Sequence, residues 1–121
     1  MEFAVRLSID AGARKKEILM VLIAFRSRMR PDVDEAEIER VGARMYEVAT
    51  AMPGFISYRD YLSDDNEFLT LVQFESHETL AAWRNHPEHV AVQIAARERY
   101  FSEYQISVCD VVRDYAWPPQ T

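Results

Sequence analysis

Two periodicities divide this chain. Phe3, Val5, Leu7 and Ile9 alternate with Ala4, Arg6, Ser8 and Asp10. That pattern predicts a short half-buried strand, an arm onto a partner subunit or a tail, followed by an exposed turn over 11–16. Residues 17–29 hold the apolar run Ile18-Leu-Met-Val-Leu-Ile-Ala-Phe25, with neither a charged stripe nor a cap. A run of this kind is expected to form a strand buried on both faces, turning basic at Arg26, Arg28 and Arg30 as it leaves the core. Ile38, Val41, Met45 and Val48 then recur at spacings of three and four. They predict an amphipathic helix, opened by a capping-box-like Asp34 and Glu37 and ending near Ala51 before Met52-Pro53-Gly54. Residues 55–62 and 68–74 read as a hairpin around Ser63-Asp-Asp-Asn66.

Ser76 is expected to cap the next helix, with Leu80 and Trp83 on one face. Pro87 disfavours a helical His86 and suits a first helical turn, so one helix should stop near His86 and another begin. The apolar face of the second is expected to run from Val90 through Ile94 to Phe101, with Arg97, Glu98 and Arg99 as a solvated group. Residues 104–112 read as the last strand, and 113–121 as an aromatic, proline-stiffened tail. The order β-α-β-β-α-α-β predicts an α+β, ferredoxin-like domain over 18–112, a four-stranded antiparallel sheet with helices on one face. The first long strand is apolar on both sides, which leaves an apolar second face in water. A patch of that size marks an interface, and a homodimer stacking two sheets would cover it.

Length and charge narrow the function. At 121 residues the chain makes one domain with a real core, and a net charge of −6 argues against nucleic acid and anionic membranes as partners. The single Cys109 excludes an intrachain disulfide. The N-terminus lacks a signal-peptide pattern and no apolar run reaches spanning length, so the cytoplasm is the expected compartment.

Residues 76–89 gather most of the groups able to do chemistry. Trp83 can line a pocket and stack on a flat substrate, its indole N–H serving as a donor. His89 is the candidate acid/base near neutral pH, with His86 beside it as a substrate contact. Their spacing matches no two-histidine helical metal motif, so no metal site is assigned. Arg26, Arg28 or Arg59 can bind a phenolate or carboxylate, and Tyr58 can anchor a substrate oxygen if it faces the helices. Tyr61 then points the opposite way. Cys109 reads as a small core residue.

Met52-Pro53-Gly54-Phe55, the strand Phe68-Leu-Thr-Leu-Val-Gln-Phe74 with Leu80-Ala-Ala-Trp83 after it, and His86-Pro87-Glu-His89 resemble antibiotic biosynthesis monooxygenase domains of the dimeric α/β-barrel superfamily. The resemblance covers roughly 18–112. It implies activities such as cofactor-free oxygenation of polyketide quinols and anthrones, quinol oxidation or haem degradation. It also implies a pocket role for Trp83. The haem degraders' histidine position is occupied by Gln93, and their first-strand asparagine has no counterpart between 21 and 30. The tyrosine that the polyketide oxygenases place six positions after the tryptophan is His89 here. The expectation is therefore a cofactor-independent monooxygenase of a planar aromatic or quinol-type metabolite, using O₂, with Trp83 as wall, His89 as acid/base and Tyr58 or Arg26 as anchor. Haem binding or degradation, a non-catalytic dimeric ligand-binding domain and a non-oxidative cyclase are the alternatives.

Overall fold

The computed structural model describes residues 19–119; the segment read as an N-terminal strand or arm lies outside them. Strand β1 (Met20–Met29) is central. It pairs antiparallel with β3 (Phe68–Phe74) on one side and with β4 (Phe101–Val111) on the other. Strand β2 (Phe55–Leu62) pairs with β3 alone, so the sheet runs β2-β3-β1-β4. Helices α1 (Glu35–Thr50), α2 (His77–Arg84) and α3 (Pro87–Ala95) accompany it in the expected chain order.

Strand parity sorts the side chains. Val21 and Ile23 of β1 and Val72 and Phe74 of β3 join Met45, Val48 and Ala49 of α1 and Leu80 and Trp83 of α2 in one buried cluster. The intervening positions, among them Met20, Leu22, Ala24, Leu69 and Leu71, lie on the other face, which none of the helices packs against. Both sides of β1 are apolar as expected, but among the described residues only one of them is covered, which corrects the expectation of a strand buried on both faces. Cys109 pairs with Leu22 on the uncovered face and is exposed, which corrects its reading as a core residue.

A one-residue bulge in β2 aims its side chains. Phe55 pairs with Phe74 and Ser57 with Gln73, leaving Ile56 as the extra residue. Phe55 therefore packs in the core, and Tyr58 and Asp60 return to the same side as Phe55. Tyr61 takes the other face, beneath the Arg59 guanidinium.

The helix starts follow the sequence. Asp34 accepts from the Glu37 amide at 3.1 Å. Ser76 and Thr79 complete a reciprocal capping box, and His86 caps α3 by accepting from the Glu88 amide at 3.1 Å. Two expectations change. The Glu37 carboxylate does not close a box on Asp34; it accepts from the Tyr100 hydroxyl at 2.6 Å and pairs with Arg99 at 2.8 Å. The last helix also stops before Phe101, because residues Ala96–Tyr100 form a π turn and Phe101 already belongs to β4. In that turn the backbone N–H of Arg30 bonds the Tyr100 carbonyl, and an Arg30 guanidinium N–H bonds that of Arg97.

Two glycines make opposite predictions. Gly54 has φ +80°, and a Cβ there would fall 2.5 Å from the Thr79 side chain. Gly54→Ala should therefore cost roughly 3 kcal/mol. Gly42 sits inside α1, and a methyl group added there would have nothing within 4 Å, so Gly42→Ala should stabilise by about 0.5–1 kcal/mol. Urea unfolding checks both: the midpoint should fall for the first and rise for the second, at constant slope.

Candidate functional site

Between the helices and the sheet lies a cavity of about 530 Å³, in the range that holds drug-sized ligands. Its lining is mostly apolar: Ile23, Phe25 and Val72 from the sheet, Val41 and Met45 from α1, Val92 from α3. The polar exceptions carry the chemistry. Trp83, His89 and Tyr58 all face this space, so these three of the residues singled out in the sequence converge.

Trp83 is held by a stack. Its indole lies 5.6 Å from the Phe74 ring at 27°, and the His89 imidazole covers it at 4.1 Å and 17°. Tyr58 meets it edge-on at 6.4 Å and meets Tyr46 of α1 edge-on at 5.4 Å. The indole N–H is buried and has no hydrogen-bond partner among the described residues. A buried donor left bare normally costs about 1–3 kcal/mol.

The helix break positions His89. It falls in the first turn of α3, where its Nδ1 lies 3.2 Å from the Trp83 carbonyl oxygen. A carbonyl only accepts, and at 3.2 Å it lies nearer Nδ1 than the donating Gln93 amide nitrogen at 3.4 Å, which favours the proton on Nδ1 and the lone pair on Nε2. The Gln93 amide, donating to the Arg84 carbonyl at 3.0 Å, also approaches this ring. Burial pushes the His89 pKa down from the ordinary 6.5, against the smaller upward pull of the Trp83 and Arg84 carbonyls. The start of a helix disfavours the imidazolium in the same sense. Near neutral pH His89 is thus a neutral base against an aromatic wall. The Tyr58 phenol is pushed up to about 12, first by burial and then by the Asp60 charge, so it stays a protonated donor.

Two of the singled-out residues lie elsewhere. His86 spends its Nδ1 on the cap of α3 and does not line the cavity. Arg26 is an even position of β1 and lies on the uncovered face, its Nε 3.1 Å from Glu67. Arg28 shares that face with Asp65 and Glu103 as partners. Arg26 therefore does not anchor a ligand in this cavity: parity alone separates it from Phe25 and Ser27, which do line it. Two lining residues carry no motif in the sequence. Asp60 and Thr70 are cross-strand partners, with the Thr70 hydroxyl donating to the Asp60 carboxylate at 2.6 Å. The shared parity of Tyr58 and Asp60 was the available signal. Among the described residues no group of histidine, cysteine and carboxylate side chains could hold a metal ion, and no helix is long and apolar enough to cross a membrane.

The tautomer and the shift are open to measurement. Nitrogen-15 NMR of the histidines should show His89 with a protonated Nδ1, titrating below 6.5. Its depressed pKa means that the unfolded chain takes up the proton first. Stability should therefore fall as pH drops from 6.5 toward the folded-state value, and His89→Gln should flatten that part of the stability profile.

Comparison with known proteins agrees with this fold. The sequence pattern of the family described as antibiotic biosynthesis monooxygenase matches residues 20–94. The uncharacterized protein YqjZ of Bacillus subtilis is 27% identical over 78 residues, 64% of this chain and 68% of that protein. Among solved structures, SnoaB from Streptomyces nogalater, a cofactor-independent oxygenase, aligns with a TM-score of 0.65 at 18% identity, over 82% of this chain and 97% of its own. Rv0793 from Mycobacterium tuberculosis aligns with a TM-score of 0.69 at 21% identity, over 80% and 99%. At these identities the structural likenesses speak for the fold. The matched pattern spans more than half of the residues, and the chain belongs to the antibiotic biosynthesis monooxygenase family.

Proposed function

We propose that this protein is a cofactor-independent monooxygenase that oxidises a planar aromatic, quinol- or polyketide-type metabolite with O₂, working as a homodimer. The observation that carries the reading is the pairing of Trp83 and His89. A neutral imidazole, its Nδ1 against the Trp83 carbonyl, is stacked on that tryptophan at the wall of an apolar cavity.

The chemistry asks little more. His89 Nε2 takes a proton from an activated CH₂ or phenol of the substrate, leaving an electron-rich enolate or phenolate. The Tyr58 hydroxyl, which stays protonated, is the donor available to its oxygen. The anion passes one electron to O₂, and the resulting radical and superoxide combine at carbon. The imidazolium of His89 returns its proton to the peroxide. Loss of water then converts the CH₂ to C=O: one oxygen atom enters the product, the other leaves as water, and all four electrons come from the substrate. The apolar lining keeps competing water away from the intermediates.

The homodimer rests on the uncovered sheet face, where Leu22, Ala24, Leu69 and Leu71 lie without a helix over them. Two such faces stacked would bury an apolar patch that a lone chain leaves in water. The chain should elute and scatter light at twice its own mass, and Leu22→Asp should return it to monomers.

Oxygen uptake with an anthrone tests the activity. Uptake should be protein-dependent and should survive chelator with no flavin added. Its rise with pH should have its midpoint below 6.5, because the base is the neutral imidazole. His89→Ala should lower the rate by about 100-fold or more. A folded dimer silent across anthrones and quinols would point instead to a non-catalytic binding domain or a cyclase.

A further inference from the structure

The cavity has a second polar position, away from Trp83 and His89, and an opening in its helical wall lies across from it. In α1 the stripe facing the core contains Ile38, Val41, Met45, Val48 and Ala49. Gly42 stands four residues after Ile38 and three before Met45, so helical spacing puts it on the edge of that stripe. Glycine inside a helix is unfavourable by about 0.5–1 kcal/mol relative to alanine. Packing does not require it here, since an added Cβ would meet nothing within 4 Å. What its missing side chain leaves is room, in the wall of the cavity.

The position opposite follows from rise. Tyr46 and Tyr58 touch, 5.4 Å between ring centroids. One turn back along α1, about 6 Å, is Gly42. Two residues on along β2, about 6.7 Å in the same direction because the two elements run oppositely, is Asp60. Asp60 lines the cavity and accepts from Thr70 at 2.6 Å. No lysine or arginine among the described residues forms an ion pair with it, while Arg26, Arg28, Arg44 and Arg99 all have carboxylate partners. Glu39, one turn before Gly42 on α1, lines the same part of the wall and adds negative charge. Arg84 and Arg97 also line the cavity, from the end of α2 and from the π turn, the Arg97 Nε donating to the Tyr104 hydroxyl at 2.8 Å.

We propose that Gly42 and the Asp60–Thr70 pair form a second recognition subsite, which admits the outer ring of a multi-ring planar substrate and selects a hydroxyl on that ring. The proposal rests on the reading of the cavity as a planar-aromatic site and adds a specificity to it. The Asp60 carboxylate, bonded to the Thr70 hydroxyl, retains acceptor capacity, and it favours a neutral donor over an anion of the same shape. Gly42 sets how much of the molecule fits above it. One end of the substrate then lies against Trp83, and the hydroxylated end lies between helix and strand at Asp60.

Binding, rather than turnover, tests this. The probes are 2,6-dihydroxyanthraquinone, whose hydroxyls are free to donate outward, anthraquinone-2-carboxylate and single-ring hydroquinone, followed by quenching of Trp83 fluorescence in a Trp117→Phe background, since Trp117 is an exposed tail residue. The parent protein should bind the dihydroxy probe about tenfold or more tighter than the carboxylate. Asp60→Asn should compress that preference to about threefold or less, by weakening the first and strengthening the second. Gly42→Leu should weaken the three-ring probes by about tenfold and leave hydroquinone unchanged. Gly42→Ala, which favours the helix, should give a smaller shift in the same sense and serves if the leucine variant fails to fold. An unchanged preference in Asp60→Asn, or equal binding of large and small probes in the Gly42 variants, would overturn the subsite and leave the planar-aromatic reading standing. A parent protein that binds none of the probes would overturn both.

Discussion

The stack of Phe74, Trp83 and His89 joins three elements that the chain delivers separately: a central strand, the helix after it and the start of the next helix. A tryptophan buries about 150–250 Å², worth roughly 5 kcal/mol as transfer of apolar area. Placing it there fixes how α2 and α3 sit on the sheet. The proline that breaks the helix is part of the same device. Because Pro87 starts a new helix, His86 is free to cap it and His89 turns back over the indole. Core packing and candidate chemistry are therefore one arrangement.

Ion pairs contribute little beside this. Arg44 grips Glu88 through two nitrogens at 2.8 and 2.7 Å and tethers α1 to α3. Both side chains are solvated, however, so the pair orients the helices more than it stabilises them. The Arg44 contact holds the Glu88 carboxyl below its usual range, and Ser63 with Arg28 holds Asp65 at about 2. The first pair lies on the helical side and the second on the opposite face of the sheet, and neither places its charges in the cavity lining.

Much of the fold was legible because it rests on local signals. The apolar run of β1, the i, i+3, i+4 spacing from Ile38 to Val48, and Ser76 and Pro87 as helix punctuation each predict one element. What escaped depended on register. The π turn over Ala96–Tyr100 has no compositional signature, so the helix read straight through to Phe101. The bulge at Ile56 resets the facing of β2 by one residue, and only then do Phe55, Tyr58 and Asp60 share a side. In the site, Trp83, His89 and Tyr58 were visible as residue types near a helix break. Arg26 looked equally suitable, and only pairing with β3 and β4 tells which parity of β1 meets the helices. Asp60, Thr70 and Gly42 escaped for the same reason: their interest lies in what stands opposite them.

The two faces of β1 answer to different demands. Ile23, Phe25 and Ser27 shape the cavity, while Leu22, Ala24 and Arg26, interleaved with them, belong to the uncovered face. On the proposed reading, neighbouring substitutions along this strand should thus show up as different defects, one in ligand handling and the next in assembly. A strand under two sets of constraints has little freedom to drift. New ligand preferences are more easily acquired at the rim, on α1 and β2, where a side chain can change without disturbing what lies behind it.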